Sequence, residues 1–498
     1  MPLVPRALST AMNRISGVST NSFRINPIVG SGTVNPGQQI RLLLPTAGFI
    51  HLPSTKLYFS VTTTGNGTRL PQFTSSLISR VQVLCGGVTL TSGTSVHGVV
   101  ECVKNIVKDK KRCLVSEHPE MVMGADYLGK VFDYAALGTG IAGQTSAAAE
   151  TYSTGLAASQ PVFSVDLGDF FQSMKPEYID LALMGQIEVI ITTAEKTVLS
   201  NVKGTFLNNV ASDNAMTDDG AATATATYTL ESPVCIVNMV SLLDGSYPMA
   251  LRQKILDTGF VQYHFNEHIA FQQRFNGNTR FNLAAASLNK LHTVFRLTDA
   301  LTIGGAIPIA GTASARVGLN GPAGYNWLGA GYAAATGKAS FQGKFQQFQL
   351  PCAEPDQTAA GSIQSGAAYD YSTAGTTGAS PCELQYRINS TQVPNTFLSP
   401  QQVAEVCKYA NNLEGFDNIN SFVEYLFNKF VLSYRFDLIT DKFEVPTVSG
   451  LDSRNSNSMI EVVSNGGNVD LTNYDSIVLA DITKMVRVGE GKQLETIS

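Results

Sequence analysis

Hydrophobic and polar positions alternate with a period of two along much of the chain, the spacing of half-buried β-strands. Gln39–Pro45, Ser54–Thr64 and Ile78–Leu84 show it first, the last running into a turn at Gly86-Gly87. Later segments are Val162–Leu167, Tyr178–Thr193, Ala226–Val240, Phe260–Phe275, His292–Leu297, Phe345–Leu350, Glu383–Ile388, Phe430–Ile439, Met459–Val463 and Ile477–Val488. Val, Ile, Thr, Tyr and Phe dominate them, as pleated surfaces favour. The strands do not alternate with helices. A parallel βαβ architecture is therefore disfavoured, and antiparallel sandwiches or barrels are expected.

Helical spacing occurs in three places. Ser399-Pro400 combines an N-cap residue with proline at the first helical position, and Val403, Val406, Cys407 and Ala410 follow on one face. A second stretch places Phe422, Leu426 and Phe430 on similar spacing. Ser95–Lys108 keeps the period through Val96, Val99, Val100, Val103 and Val107, although valine is a reluctant helix former. Its basic end, Lys108–Arg112, suits a helix C-terminus.

Three long segments of small residues interrupt the pattern: Ala135–Gln160, Asn201–Thr227 and a stretch from about 300 to 380. Within Ala300–Ser340 only Arg316 and Lys338 are charged. Such segments read as insertions. A turn-rich break, Asp244-Gly245-Ser246-Tyr247-Pro248, separates two strand-rich halves. The expected organisation is a flexible N-terminal arm over 1–24, a first unit over 25–245 and a second over 246–498 that carries the insertion about 300–380.

Composition sharpens this picture. The chain has 498 residues, of which 15% are charged and 44% hydrophobic. Whole-chain disorder is excluded, because disordered chains are charge-rich. The net charge of −5 excludes a strongly basic nucleic-acid binder. Few charges fit either a large interior or an outer surface covered by neighbouring subunits. The first acidic residue is Glu101, and seven Lys and Arg precede it. Three of them, Arg6, Arg14 and Arg24, lie in the arm, which is thus basic and suited to lie against a partner subunit or an anionic interior. Seven scattered cysteines without a C-x-x-C pair suggest reduced thiols. No run of 18 apolar residues occurs, and the first residues lack the apolar core of a secretion signal, so neither a transmembrane segment nor a signal peptide is expected.

Motifs of catalysis are weak. His264-Phe265-Asn266-Glu267-His268 matches H-x-x-E-H, which grips zinc only on a helix. Here the flanks alternate like a strand, and four strand residues span roughly 13 Å. Gly138–Gly143 matches G-x-G-x-x-G but leads into a small-residue loop rather than a helix. Asp218-Asp219 reads as a solvated turn, and Trp327 alone is thin support for a glycan platform. No catalytic, cofactor-binding or metal-ligating residue is assigned, and no cofactor is expected.

Four stretches in order carry a family resemblance: Ile78–Leu90 (ISRVQVLCGGVTL), Phe163–Thr193, Pro233–Leu297, and Phe430–Val463 with its Gly450-Leu451-Asp452-Ser453-Arg454 turn. Together they resemble the double jelly-roll major capsid proteins of icosahedral DNA viruses, the lineage of adenovirus hexon, virophages and polinton-like viruses. The resemblance implies an all-β fold with a few short helices, built as two side-by-side eight-stranded antiparallel jelly rolls with long loop insertions. It implies a non-enzymatic virion protein made inside the host cell. The chain would self-assemble as a homotrimer, a pseudo-hexameric capsomer that meets neighbouring capsomers, penton and minor capsid proteins. The N-terminal arm would lie near the genome or an internal membrane. Two alternatives stand beside it: a β-sandwich glycan-binding protein or glycosidase, and a penton or minor capsid protein.

Overall fold

A computed structural model describes residues 18–64, 68–69, 71, 73–107, 163–201, 227–242, 246–297, 348, 350–351, 383–389, 391–413, 419, 425, 429–437, 450–454, 459–465 and 474–497. The first half runs β1 (Val18–Ile25), β2 (Thr33–Val34), β3 (Gln39–Leu43), β4 (Phe49–Thr64), β5 (Thr68–Arg69), β6 (Ile78–Cys85) and β7 (Val88–Thr91). Helix α1 (His97–Ile106) follows, then β8 (Phe163–Asp166), α2 (Asp169–Ser173), β9 (Tyr178–Asp180), β10 (Ile187–Thr193), β11 (Ser200–Asn201) and β12 (Thr227–Leu242). Helix α3 (Ser246–Thr258) leads into the second half. There β13 (Phe260–Arg274), β14 (Asn278–Asn282), β15 (Leu288–Leu297), β16 (Glu383–Ile388) and β17 (Thr391–Leu398) precede α4 (Pro400–Ala410). The chain ends with β18 (Leu432–Arg435), β19 (Met459–Asn465), β20 (Tyr474–Gly489) and β21 (Leu494–Ile497).

Both halves repeat one sheet topology. In the first, β1-β12-β4-β8 form one sheet, with β2 on β12 and β9 on β4, and β3-β10-β6-β7 form the facing sheet. In the second, β13-β20-β15-β18 face β14-β19-β16-β17. With β1 and β2 counted as one strand, β8 and β9 as another, and the short β5/β11 pair and β21 set aside, each half has eight strands. Their orders are first-eighth-third-sixth and second-seventh-fourth-fifth, all antiparallel, which is a jelly roll. Alternation selects the inward faces: Ile187, Val189 and Ile191 point into the first core, and Val462 and Ile460 into the second.

The structure revises several sequence expectations. The N-terminal arm does not extend to residue 24, because residues 18–25 are β1, paired along its length from Val18↔Leu242 to Ile25↔Cys235. An edge strand is held by backbone hydrogen bonds and needs no buried face; Phe23 stays 46% exposed. Tyr178–Thr193 is two strands, parted by a turn in which Asp180 Oδ1 accepts from the Ala182 amide at 2.9 Å. The break at 244–248 gives way to α3 from Ser246, with Pro248 in its first turn where a missing amide costs nothing. Phe348 makes only an isolated bridge with Lys429. Phe430 is not helical and donates its amide to the Phe348 carbonyl. Phe422, Leu426, Lys108–Arg112, Gly138–Gly143, Asp218-Asp219, Trp327, the segment Ala135–Gln160 and nearly all of the other two insertions lie outside the described residues.

Candidate functional site

The two rolls share buried structure, and that seam is the feature through which they act as one body. Three layers build it. The first is a common core. The near ends of β13 and β20 place Val261, Tyr263, Phe265, Val486 and Val488 in the apolar cluster of the first roll, beside Phe170 and Phe171. Phe170 meets Phe265 edge-on at 5.4 Å. The strand edge contributes too, as the backbone of Lys175 exchanges two hydrogen bonds with His264, 2.7 and 3.1 Å long.

The second layer is α1. Its valine stripe is amphipathic, but nine of its ten residues are buried, so both faces are covered. One face meets its own roll, where Ser76 Oγ lies 3.4 Å from Cys102 Sγ. Val99, Val100, Cys102, Val103 and Ile106 also join Val294, Ile477 and Leu479 of the second roll in one buried cluster. On β20 these two residues alternate with Val478 and Ala480, which face the second core. This stretch of β20 is therefore apolar on both faces. Full burial of each such aliphatic side chain contributes about 1.5–3 kcal/mol.

The third layer is ionic. Lys104 on α1 sits 2.9 Å from Glu101 and 3.0 Å from Asp169 of α2. Asp169 Oδ1 also lies 2.7 Å from His268 Nδ1, and Asp169 Oδ2 accepts the His268 amide at 2.9 Å. His268 is on β13, so this carboxylate ties the rolls together. Burial alone would raise the Asp169 pKa, but Lys104 and His268 outweigh it and hold the carboxyl well below its usual range. Burial would likewise lower His268, and Asp169 overrides it and raises the imidazole. Neighbouring His97 and Asp481 move the other way, because burial dominates: the imidazole is pushed down and the carboxyl up. Glu267 completes the cluster by accepting from Thr91 of the first roll and pairing with Lys484 of the second. Desolvating so many charges offsets most of their attraction. The apolar layers thus supply the adhesion, and the ion cluster admits only the alignment in which every charge finds its partner.

His264 and His268 stand four residues apart on the strand β13, as the alternation of their flanks requires. His268 and Glu267 are both used, for joining the rolls. Among the described residues no group of three His, Cys, Asp or Glu side chains is arranged to hold a metal ion. No described helix is long and apolar enough to cross a membrane. The four described cysteines, Cys85, Cys102, Cys235 and Cys407, are buried free thiols. The Gly450–Arg454 turn precedes β19, the seventh strand of its roll. A Cβ on Gly450 would stand 2.4 Å from the Leu288 carbonyl oxygen, so the backbones approach as only glycine permits. Ser287 Oγ accepts the Gly450 amide, and Asp452 pairs with Arg454 on the surface.

Sequence reasoning assigned none of the seam residues. Glu101 and Lys104 at i,i+3 on the valine-striped helix were the available signal, since they place two charges beside an apolar face.

No protein-family model matches the chain, and no curated protein matches it. Solved structures do. A quasi-atomic model of the PBCV-1 virus capsid superposes with a TM-score of 0.53 at 12% identity, covering 97% of both chains. PBCV-1 VP54, in a crystal structure fitted into a reconstruction of the virophage Sputnik, gives 0.51 at 11% identity, also over 97% of both. At such identity the likeness concerns the fold, and the fold is the double jelly roll.

Proposed function

We propose that this chain is a major capsid protein, a non-catalytic building block whose copies tile an icosahedral viral shell. One observation carries the reading: two jelly rolls with the same strand order share a buried seam, and that fold is shared with a viral capsid over 97% of both chains.

The physics of tiling supports it. Two similar rolls side by side offer two near-equivalent corners, so three chains offer six and approximate a hexagon. Head-to-tail contacts that close at three are permitted by symmetry. A tile must be stiff, because small errors in the angle between rolls accumulate across a shell. The shared core and buried ion cluster supply that stiffness. Broad contacts between tiles favour few charges, in keeping with 15%. In this reading the partners are the other two copies, neighbouring capsomers, and the penton and minor capsid proteins. The location is the virion. Residues 1–17, with Arg6 and Arg14 and no acid, would face the genome or an internal membrane.

Native mass spectrometry with electron microscopy of the purified chain tests the proposal. A species of three times 53.2 kDa with a hexagonal outline is expected. A chain that remains monomeric throughout the micromolar range would refute it.

A further inference from the structure

In each roll a helix follows the fifth strand, α1 in the first and α4 in the second. Equivalent in position, they differ in burial. Helix α1 is covered on both sides, its second side by the β15/β20 sheet of the other roll. Helix α4 is covered on one side only. Val403 and Ala404 are buried in the core of its own roll, Cys407 joins the buried cluster that also holds the α1 valines, and Ala410 is buried, while Gln401, Gln402, Glu405 and Tyr409 are exposed. Tyr409 is 79% exposed, the most exposed of the large apolar or aromatic side chains among the described residues.

We propose that the open face of α4, centred on Tyr409, docks onto the first roll of a second copy of this chain, as α1 docks onto the second roll within the chain. The inference rests on the capsomer reading and names the surface that would join its copies. The occupant follows from the repeat. A ring of six rolls that alternates first and second needs two kinds of junction. The first-to-second junction is the seam inside the chain, made by α1. The second-to-first junction lies between copies, and α4 is the element that the repeat places there. Its partner is the first roll's outer sheet, β4 with β12, which corresponds to β15 with β20 in strand order. The chemistry of the two helices fits this division. A junction formed during folding can be buried on both sides, as α1 is. A surface that must stay soluble before assembly is polar around one aromatic anchor, as α4 is with glutamines and Glu405 around Tyr409. Tyrosine is among the side chains that most often dominate interface energy.

The test is substitution of exposed residues, so that the monomer fold is left alone. Tyr409→Arg and, separately, Glu405→Arg are compared with wild type by native mass and sedimentation across concentration, with circular dichroism as the check on folding. As a control, Lys254→Glu changes an exposed residue on α3. The expected result is a rise of about tenfold or more in the trimer dissociation constant for Tyr409→Arg, a smaller rise for Glu405→Arg, and none for the control, with all spectra unchanged. A folded Tyr409→Arg trimer as tight as wild type would overturn this assignment and leave the capsomer reading standing. A wild-type chain that never trimerises would instead overturn the capsomer reading and this inference with it.

Discussion

Helices α1 and α4 sit at equivalent places in the two rolls, and they are held by different means. Helix α4 carries its own start signal. Ser399 Oγ accepts the Gln402 amide, and Gln402 Oε1 accepts the Ser399 amide at 2.9 Å, a capping box completed by Pro400. It would be recognised in any context. Helix α1 starts after Val96 with no side-chain cap, and its stripe consists of β-branched residues. It is a helix because the second roll covers the face that its own roll leaves open. Local capping sustains a helix that faces solvent, whereas burial on two sides sustains one that local preference would leave marginal.

The comparison can be broken most directly at the ion cluster beside α1. Asp169→Ala leaves buried His268 without its carboxylate and Lys104 with Glu101 alone, and a loss of about 3–5 kcal/mol in urea unfolding is expected. A loss smaller than that of any α4 variant would mean that the seam does not sustain α1.

The pH dependence of the seam sharpens the point. His268 is raised above its ordinary 6.5 despite burial, because Asp169 faces it. Its contribution is present below pH 6.5 and disappears as pH rises through its folded pKa. His292, on β15, is pushed well below 6.5 by burial, with Lys290, His268 and Lys104 acting in the same direction, while Ser433 Oγ lies 2.7 Å from its Nδ1. The unfolded chain therefore binds a proton that the folded one refuses, and stability falls as pH drops below 6.5. Unfolding free energies measured from pH 5 to 8 should separate the two. His292→Gln should flatten the acid side and His268→Gln the alkaline side, each by up to about 1.4 kcal/mol per pH unit. Identical profiles for the two variants would contradict the opposed environments.

On α4 the effects should be smaller. Ser399→Ala removes the cap and should cost about 1 kcal/mol in the same unfolding assay. Glu405→Gln removes only the exposed partner of Lys408 and should change monomer stability by less than about 0.5 kcal/mol. An effect of Glu405→Gln that exceeds the cap effect would show α4 to be less open than its exposure indicates.

The strands that sequence reading passed over teach the same lesson. Besides the two-residue strands β2, β5 and β11, these are β1, β14, β17 and β21, all peripheral: three lie at sheet edges and β21 pairs with β20 alone. β17 tolerates Pro394 because an edge strand has amides that need no partner. β14 turns Thr279 and Phe281 inward between Asn and Arg residues, an alternation too polar to be read. Central strands such as β10 and β20 were legible because both flanks of their pattern are decided by burial.

Periodicity and capping in the chain alone determined the β class, the two-part organisation and α4, since these follow from each residue's own preference for water and its near neighbours. Only the tertiary structure decided that α1 would be buried twice and that Asp169 would meet His268, 99 positions away. A charge in a sequence announces that it needs a partner. Which partner it receives depends on how two sheets come to lie beside each other, because at that distance along the chain nothing but packing brings the groups together.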